Sequence, residues 1–375
     1  MNDFKIPPIS PLSGSTIINF FRIIGQARIS PQYYYKLFLS GLIILIATPF
    51  HWWERLVFNR KVRTMKFAKP PLFIIGHWRS GTTLLHNVLC KDPSAGYLTT
   101  YYSLFPNNLS SKWLFKTFVK WKMPVTRPSD DMKMNADYPQ EDEFAFSNCQ
   151  SDAFYNFFYF PSEYKYFYDR AINHKNMADN EIRSWYKSYD TLLRKALIDT
   201  KGKRLIVKNP VNTARIDKLL KLYPDAKFLY IYRNPVTVFH STQKFFRNLF
   251  PKVWLNPVSD DFIDKLILDL YLILMNDYQK IKSLIPDGNL LELRFEEFEK
   301  NPFEEIKRIY ENLLKENFET VKPCFESYFK TISDYRKNKY KVKKSELESV
   351  LKEWAPFMSL YGYKVPDDLE EESDR

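Results

Sequence analysis

At 375 residues, with 45% hydrophobic and 27% charged positions, the chain can bury a real core, which excludes a disordered polypeptide. Nine glycines exclude collagen-like and glycine-rich architectures. Three cysteines (Cys90, Cys149, Cys324), none in a C-x-x-C pair, exclude a disulfide framework or metal finger and favour a reducing compartment. A net charge of +12 suits a polyanionic partner: nucleic acid, an anionic membrane surface or a phosphate-rich ligand.

Residues 1–36 are polar and mixed and do not form a secretory signal. An apolar run, LFLSGLIILIATPF, fills residues 37–50. It is shorter than the roughly 20 residues a spanning helix needs, and Pro49 is expected to break its end. Tyr33, Tyr34 and Tyr35 precede it and Trp52 and Trp53 follow, in the manner of an interfacial aromatic belt. A cationic collar comes next: Arg55, Arg60, Lys61, Arg63, Lys66 and Lys69. Three readings stay open: an interfacial anchor, which is preferred, a core helix pair, or a true span. If the run spans, the collar places the downstream chain in the cytoplasm.

Beyond residue 70, strand and helix signals alternate. Pro71–Gly76 (PLFIIG) reads as a strand and Thr82–Leu89 as a helix with Leu84, Leu85, Val88 and Leu89 on one side. Arg204–Val207 (RLIV) is a second strand, and Asn212 or Thr213 is expected to cap a helix carrying Ile216, Leu219, Leu220 and Tyr223. Lys227–Tyr232 (KFLYIY) is a third strand, with Asn234-Pro235 opening the helix after it. Leu290–Phe295 (LLELRF) is a fourth, and Asn301-Pro302 repeats the cap signal before Phe303–Leu314. Ser345-x-x-Glu348 reads as a capping box before the last helix. Apolar strands alternating with helices predict an α/β fold, a parallel sheet flanked by helices.

The segment Gly76-His77-Trp78-Arg79-Ser80-Gly81-Thr82-Thr83 follows a strand and opens a helix. Its glycine spacing matches the phosphate loop G-x-x-x-x-G, and Thr83 sits where that motif has Ser/Thr. Thr82 replaces the lysine of nucleotide hydrolases, which disfavours ATP or GTP turnover but leaves the amides of Ser80 to Thr83 free to form an anion nest. Arg79 returns a cation to the loop. Lys208, Arg233 and Arg294 stand at or near the ends of the other strands, where parallel sheets bind ligands. Four cations at one edge would repel one another unless a multiply charged anion sat among them.

These residues resemble the sulfotransferases that use 3′-phosphoadenosine-5′-phosphosulfate (PAPS). FIIGHWRSGTTLLHN is similar to their 5′-phosphosulfate loop, and KFLYIYRNPVTVFHS to their 3′-phosphate motif, with Arg233 and Ser241 as its Arg and Ser. RLIVKNP is similar to the strand bearing a catalytic lysine, here Lys208, and RFEEFEKNP to the late R-[YF]-E-[DE] segment near the adenosine. The resemblance covers about residues 70–310. It implies a P-loop-like sulfotransferase core in a sulfotransferase domain at 70–365; the apolar run and its flanks make residues 1–69 an N-terminal helical segment expected to associate with a membrane, and composition makes 366–375 an acidic tail. The resemblance further implies that PAPS is the sulfuryl donor, that Arg79, Ser80, Gly81, Thr82, Thr83, Arg233, Ser241, Arg294 and Arg336 bind it, that Lys208 and Arg79 stabilise the transferred charge, and that no metal is needed.

The general base is harder to place. Pro210 stands where some relatives have a histidine, and residues 96–100 lack the glutamate others use. Glu141, then Glu143, in the acidic start of PQEDEF are the preferred candidates, weighed against helix-start acids that merely complement a dipole. His77 and His86 are further candidates, with His77 lining the site. Residues 154–168 hold ten aromatics in fifteen positions, read either as core or as the wall of an apolar acceptor pocket. With the aromatic N-terminus, they favour a lipophilic alcohol, a sterol or lipid, as acceptor. Rival readings are a P-loop kinase, a basic nucleic-acid-binding protein and an inactive relative that keeps the pocket. No nucleic-acid motif is present, so nucleic acid is not an expected partner. The expected location is cytoplasmic, peripheral on a membrane, with the oligomeric state open.

Overall fold

The computed structural model describes residues 10–122, 135–331, 341–366 and 369–372. The central feature is a five-stranded sheet in the order β2-β3-β1-β4-β5, formed by β1 (Leu72–Ile75), β2 (Ala95–Gly96), β3 (Arg204–Lys208), β4 (Lys227–Tyr232) and β5 (Leu290–Arg294). The pairing of β1 with β4 and of β4 with β5 is parallel. Ile75 lies opposite Tyr230, and Tyr232 opposite Arg294. The segments that follow β1, β4 and β5 therefore leave the sheet at one edge. β1 is wholly buried, which explains its unbroken apolar run: a strand covered on both faces has no polar side to show.

The chain forms two compact units. One comprises Pro70–Ala95, Lys208–Arg247 and Ser259–Arg375. Here the helix Asp260–Ile281 buries Ile263, Leu266, Ile267, Leu270, Leu274 and Met275 at helical spacing. Its Tyr278 stacks on Tyr230 of β4 with ring centroids 4.0 Å apart, and its Tyr271 stacks on Trp354 at 3.9 Å. That helix had no counterpart among the predicted elements. The expected caps were only partly right. Asn234 Oδ1 accepts from the Val236 amide at 3.0 Å. Asn212 and Thr213, by contrast, lie inside a 3₁₀ turn, Pro210–Ala214, which is capped by Asn209, and the following helix starts only at Ile216. Asn301 makes no side-chain cap bond. The capping box at Ser345 does not form either, because the helix Lys344–Glu353 begins one residue before it.

The other unit comprises Met1–Lys69, Gly96–Val207 and Asn248–Val258. Its helix Tyr34–Trp53 runs through Pro49 without ending, and continues through a π-helical turn (Glu54–Phe58) into Asn59–Thr64. Pro49 lies on the exposed side, where the carbonyl it orphans is not trapped in the core. Leu37, Ser40, Ile44, Ala47, His51 and Glu54 form the buried stripe. Glu54 is paired at 2.5 Å with Lys195 of the helix Asp179–Thr200, both nearly inaccessible, and its second oxygen accepts from the Ser110 amide at 2.9 Å. The start of the aromatic run packs inward: Phe154 to Phe158 are all buried, with Phe157 and Phe158 against Phe250, while Tyr166 further along it is exposed.

Candidate active site

The loop between β1 and the helix Thr82–Leu89 is shaped by two glycines that accept no side chain. Gly76 has φ +139°, and a Cβ there would lie 2.2 Å from the Ile231 carbonyl oxygen of β4. Gly81 has φ +93°, and its Cβ would lie 2.1 Å from the Phe295 ring. The Gly76 amide donates to Thr213 Oγ1 at 2.8 Å, tying the loop to the turn after β3. Arg79 holds φ +66°, a left-handed conformation unusual for a residue with a Cβ. Ser80 and Thr82 are buried, Gly81 and Thr83 half-buried at the helix start, where amides point outward and favour an anion.

The structure brings several of the expected residues together. Arg79 Nε donates to Ser241 Oγ at 2.9 Å, joining the loop to the helix Pro235–Val253. Lys208, at the end of β3, is buried and donates from Nζ to Thr83 Oγ1 at 3.3 Å. The Asn209 amide next to it donates to the Ile74 carbonyl at 3.3 Å, which fixes the lysine beside the end of β1. Arg233 lies with its guanidinium 4.4 Å from the centroid of Phe295, the same ring that closes over Gly81. Among the described residues, Arg233 makes no hydrogen bond or ion pair. Arg294 is engaged locally: its guanidinium stands over the Tyr363 ring at 4.1 Å and 3.6 Å from Glu296, whose carboxylate also accepts from Tyr363. Arg336 lies outside the described residues.

His77 is buried inside the loop. Its Nδ1 donates to the Trp78 carbonyl at 2.9 Å, since a carbonyl can only accept, which leaves the Nε2 lone pair without a hydrogen-bond partner. Burial lowers its pKa to about 4, so the ring is neutral at physiological pH. His86 is buried on the loop helix. The acidic candidates belong to the other unit. Glu143 is fully buried and accepts from the Phe154 amide at 2.6 Å, and Asp142 accepts from Tyr189. Glu141 is partly exposed and accepts from the Tyr155 hydroxyl at 2.5 Å.

Two residues take roles the sequence did not suggest. Thr213, expected as a helix cap, instead holds the Gly76 amide, and Phe295 supports both Gly81 and Arg233. Phe295 lies inside the quoted RFEEF segment, so the signal was present, but its role needed the contact. Thr213 carried no signal for that role beyond its nearness to Lys208.

A helix N-terminus following a parallel strand, with a lysine, an arginine–serine pair and, among the described residues, an arginine without an ion pair in the same unit, makes a site suited to a multiply charged anion. The sulfotransferase family matches residues 70–318. Omega-hydroxy-beta-dihydromenaquinone-9 sulfotransferase Stf3 from Mycobacterium bovis is 30% identical over 312 residues, 83% of this chain and 80% of the relative, and its Mycobacterium tuberculosis counterpart matches equally. Sulfotransferase STF9 from Mycobacterium avium shares the fold with a TM-score of 0.70 at 16% identity, over 93% of this chain and 90% of that one. STF1 from Mycobacterium tuberculosis H37Rv does so at 0.64 and 17%, over 90% of each. The chain belongs to the sulfotransferase family. It is an enzyme that moves a sulfuryl group from a sulfonate donor to an acceptor.

Proposed function

We propose that the donor is PAPS and that the acceptor is the hydroxyl of a lipophilic alcohol, a sterol or lipid. The observation that carries the donor is Arg233: a half-buried guanidinium resting on Phe295 with no anionic partner among the described residues is placed to take a phosphate. With Ser241 it would hold the 3′-phosphate, while the amides of Ser80 to Thr83 would hold the 5′-phosphosulfate. The acceptor oxygen attacks sulfur as the bond from sulfur to the bridging 5′-phosphate oxygen breaks, and adenosine 3′,5′-bisphosphate leaves. Negative charge grows on that bridging oxygen, where Lys208 and Arg79 stabilise it without reorganising. The acceptor proton goes to a carboxylate, with Glu141 ahead of Glu143 because Glu141 is partly exposed whereas Glu143 is fully buried on the Phe154 amide. Arg294 borders the adenosine.

The acceptor class is supported by the 30% identical relatives, whose name gives a hydroxylated menaquinone as substrate. The same reading makes the protein cytoplasmic and peripheral on a membrane surface, with residues 1–69 as the membrane-associated segment and 70–365 as the catalytic domain. Calorimetry should show binding of adenosine 3′,5′-bisphosphate and none of ATP, with Arg233→Ala weakening that binding. Incubation with labelled PAPS and a whole-lipid extract should give lipid products heavier by one sulfate in mass spectra. Binding of ATP alone would remove the donor assignment. Sulfation confined to water-soluble alcohols would remove the acceptor class and leave the donor intact.

A further inference from the structure

We infer that the helix Tyr34–Trp53, together with the helix Lys112–Lys122, docks this protein onto an anionic lipid bilayer as an in-plane anchor that does not cross it. By length and composition the helical stretch Pro31–Thr64 could cross a membrane. What this helix does with its two faces decides otherwise. One face is fastened to protein through polar groups. Ser40 Oγ accepts from the Ser10 amide at 2.8 Å, His51 Nε2 meets Asn108 Oδ1 at 2.9 Å, and Glu54 is bonded to Lys195 and Ser110. A spanning helix would have to release these groups into hydrocarbon, where an ionised carboxylate and an unpaired imidazole are strongly disfavoured.

The opposite face is apolar and aromatic, and open. Tyr34, Tyr35, Phe38, Leu45, Ile46, Trp52, Trp53 and Leu56 are all exposed, Trp52 at 67% and Leu56 at 73%. The helix Lys112–Lys122 is joined to it through a Phe50–Phe115 edge contact at 5.4 Å, and adds Trp113 and Trp121, each 74% exposed. Soluble surfaces rarely leave so many large apolar side chains together. Tyrosine and tryptophan bracketing aliphatic residues is the composition of a headgroup-depth contact.

Charge selects the occupant. Residues 10–69 contain nine Lys and Arg and one acid, and that acid is the buried Glu54. Arg55, Arg60, Lys61, Arg63 and Lys66 are exposed just past the aromatic stretch. An anionic leaflet complements this rim. A second copy of the chain would set two cationic rims against each other.

Full-length protein should float with vesicles containing about one third phosphatidylglycerol in phosphatidylcholine. Binding should be about tenfold weaker to phosphatidylcholine alone or at about 0.5 M salt. Trp52→Ser with Trp53→Ser should weaken binding to both vesicle types. Arg60→Gln with Lys61→Gln and Arg63→Gln should remove the preference for phosphatidylglycerol. Both sets alter exposed side chains, so melting temperatures should stay within a degree or two of the parent. Alkaline carbonate should strip the protein from the vesicles. No flotation, resistance to carbonate, or a dimer in light scattering that the tryptophan pair dissolves would each overturn the proposal. Because flotation is read without turnover, such a failure leaves the sulfotransferase assignment standing.

Discussion

Arg79 occupies a backbone conformation that glycine would adopt without strain. An L-residue held at φ +66° costs about 1–2 kcal/mol, so the side chain must return something the backbone does not. Its local contacts include the bond to Ser241 at 2.9 Å and the Phe245 ring, whose centroid lies 5.8 Å from the guanidinium. Arg79→Gly should therefore keep or slightly raise the melting temperature while kcat/KM falls by about 10²–10³, the loss typical of one preorganised charge-stabilising donor. Lys208→Ala should fall by a similar factor. Near-parental rates in either variant would count heavily against the proposed chemistry. Arg79, Lys208 and Arg233 could be picked out as candidates because each stands at or beside the end of an apolar strand, and a parallel sheet brings such ends to one edge. Phe295 and Thr213 could not. Their roles are contacts with glycine positions, and such contacts follow from the register of β1 against β4 and from the turn after β3, which no local pattern encodes.

At the scale of elements, four of the five strands of the sheet were legible almost residue for residue: β1, β3 and β4 are short runs with a buried apolar centre, and β5 alternates buried Leu291 and Leu293 with more open neighbours, whereas the two-residue β2 is too short to carry a pattern. The long helices Asp179–Thr200 and Asp260–Ile281 escaped because their buried positions are interleaved with charges and their stripes include Tyr, Trp and even Lys195. The N-terminal helix was misjudged at Pro49 for a related reason: a proline ends a helix only when the bond it removes has to be made. The pair of Glu54 with Lys195 is the charged one among this helix's polar fastenings to its unit. Removing one partner leaves the other charge buried and unmatched, a loss of about 3–5 kcal/mol. Lys195→Met should thus lower the midpoint of thermal unfolding by several degrees. Adding Glu54→Gln should recover part of it, because a neutral amide oxygen can still accept from Ser110. A double variant no better than the single one would mean that the lysine acts by packing rather than by charge.

For the molecule as a whole, acid sensitivity follows from three of the buried imidazoles, His51 in one unit and His77 and His240 in the other. Each is lowered from the ordinary histidine value chiefly by burial, His77 to about 4. The unfolded rings titrate near 6.5, so as pH falls from about 6.5 towards 4 the unfolded chain takes up protons that the native one refuses. Stability contributed by the neutral rings is complete above about pH 6.5 and is lost through that window. His77 alone accounts for about 3 kcal/mol. Asp264 works in the opposite sense: burial raises its pKa, so the native state gains a proton first near the acid end and recovers a little stability there. Melting curves between pH 7.5 and 4.5 should show the midpoint falling most steeply below about 6.5. The Nδ1 bond to the Trp78 carbonyl makes His77→Asn the informative variant, since an amide can still donate to that carbonyl while no longer titrating. Its profile should be shallower than the parent's by that share, and an unchanged slope would move the acid response onto His51 and His240.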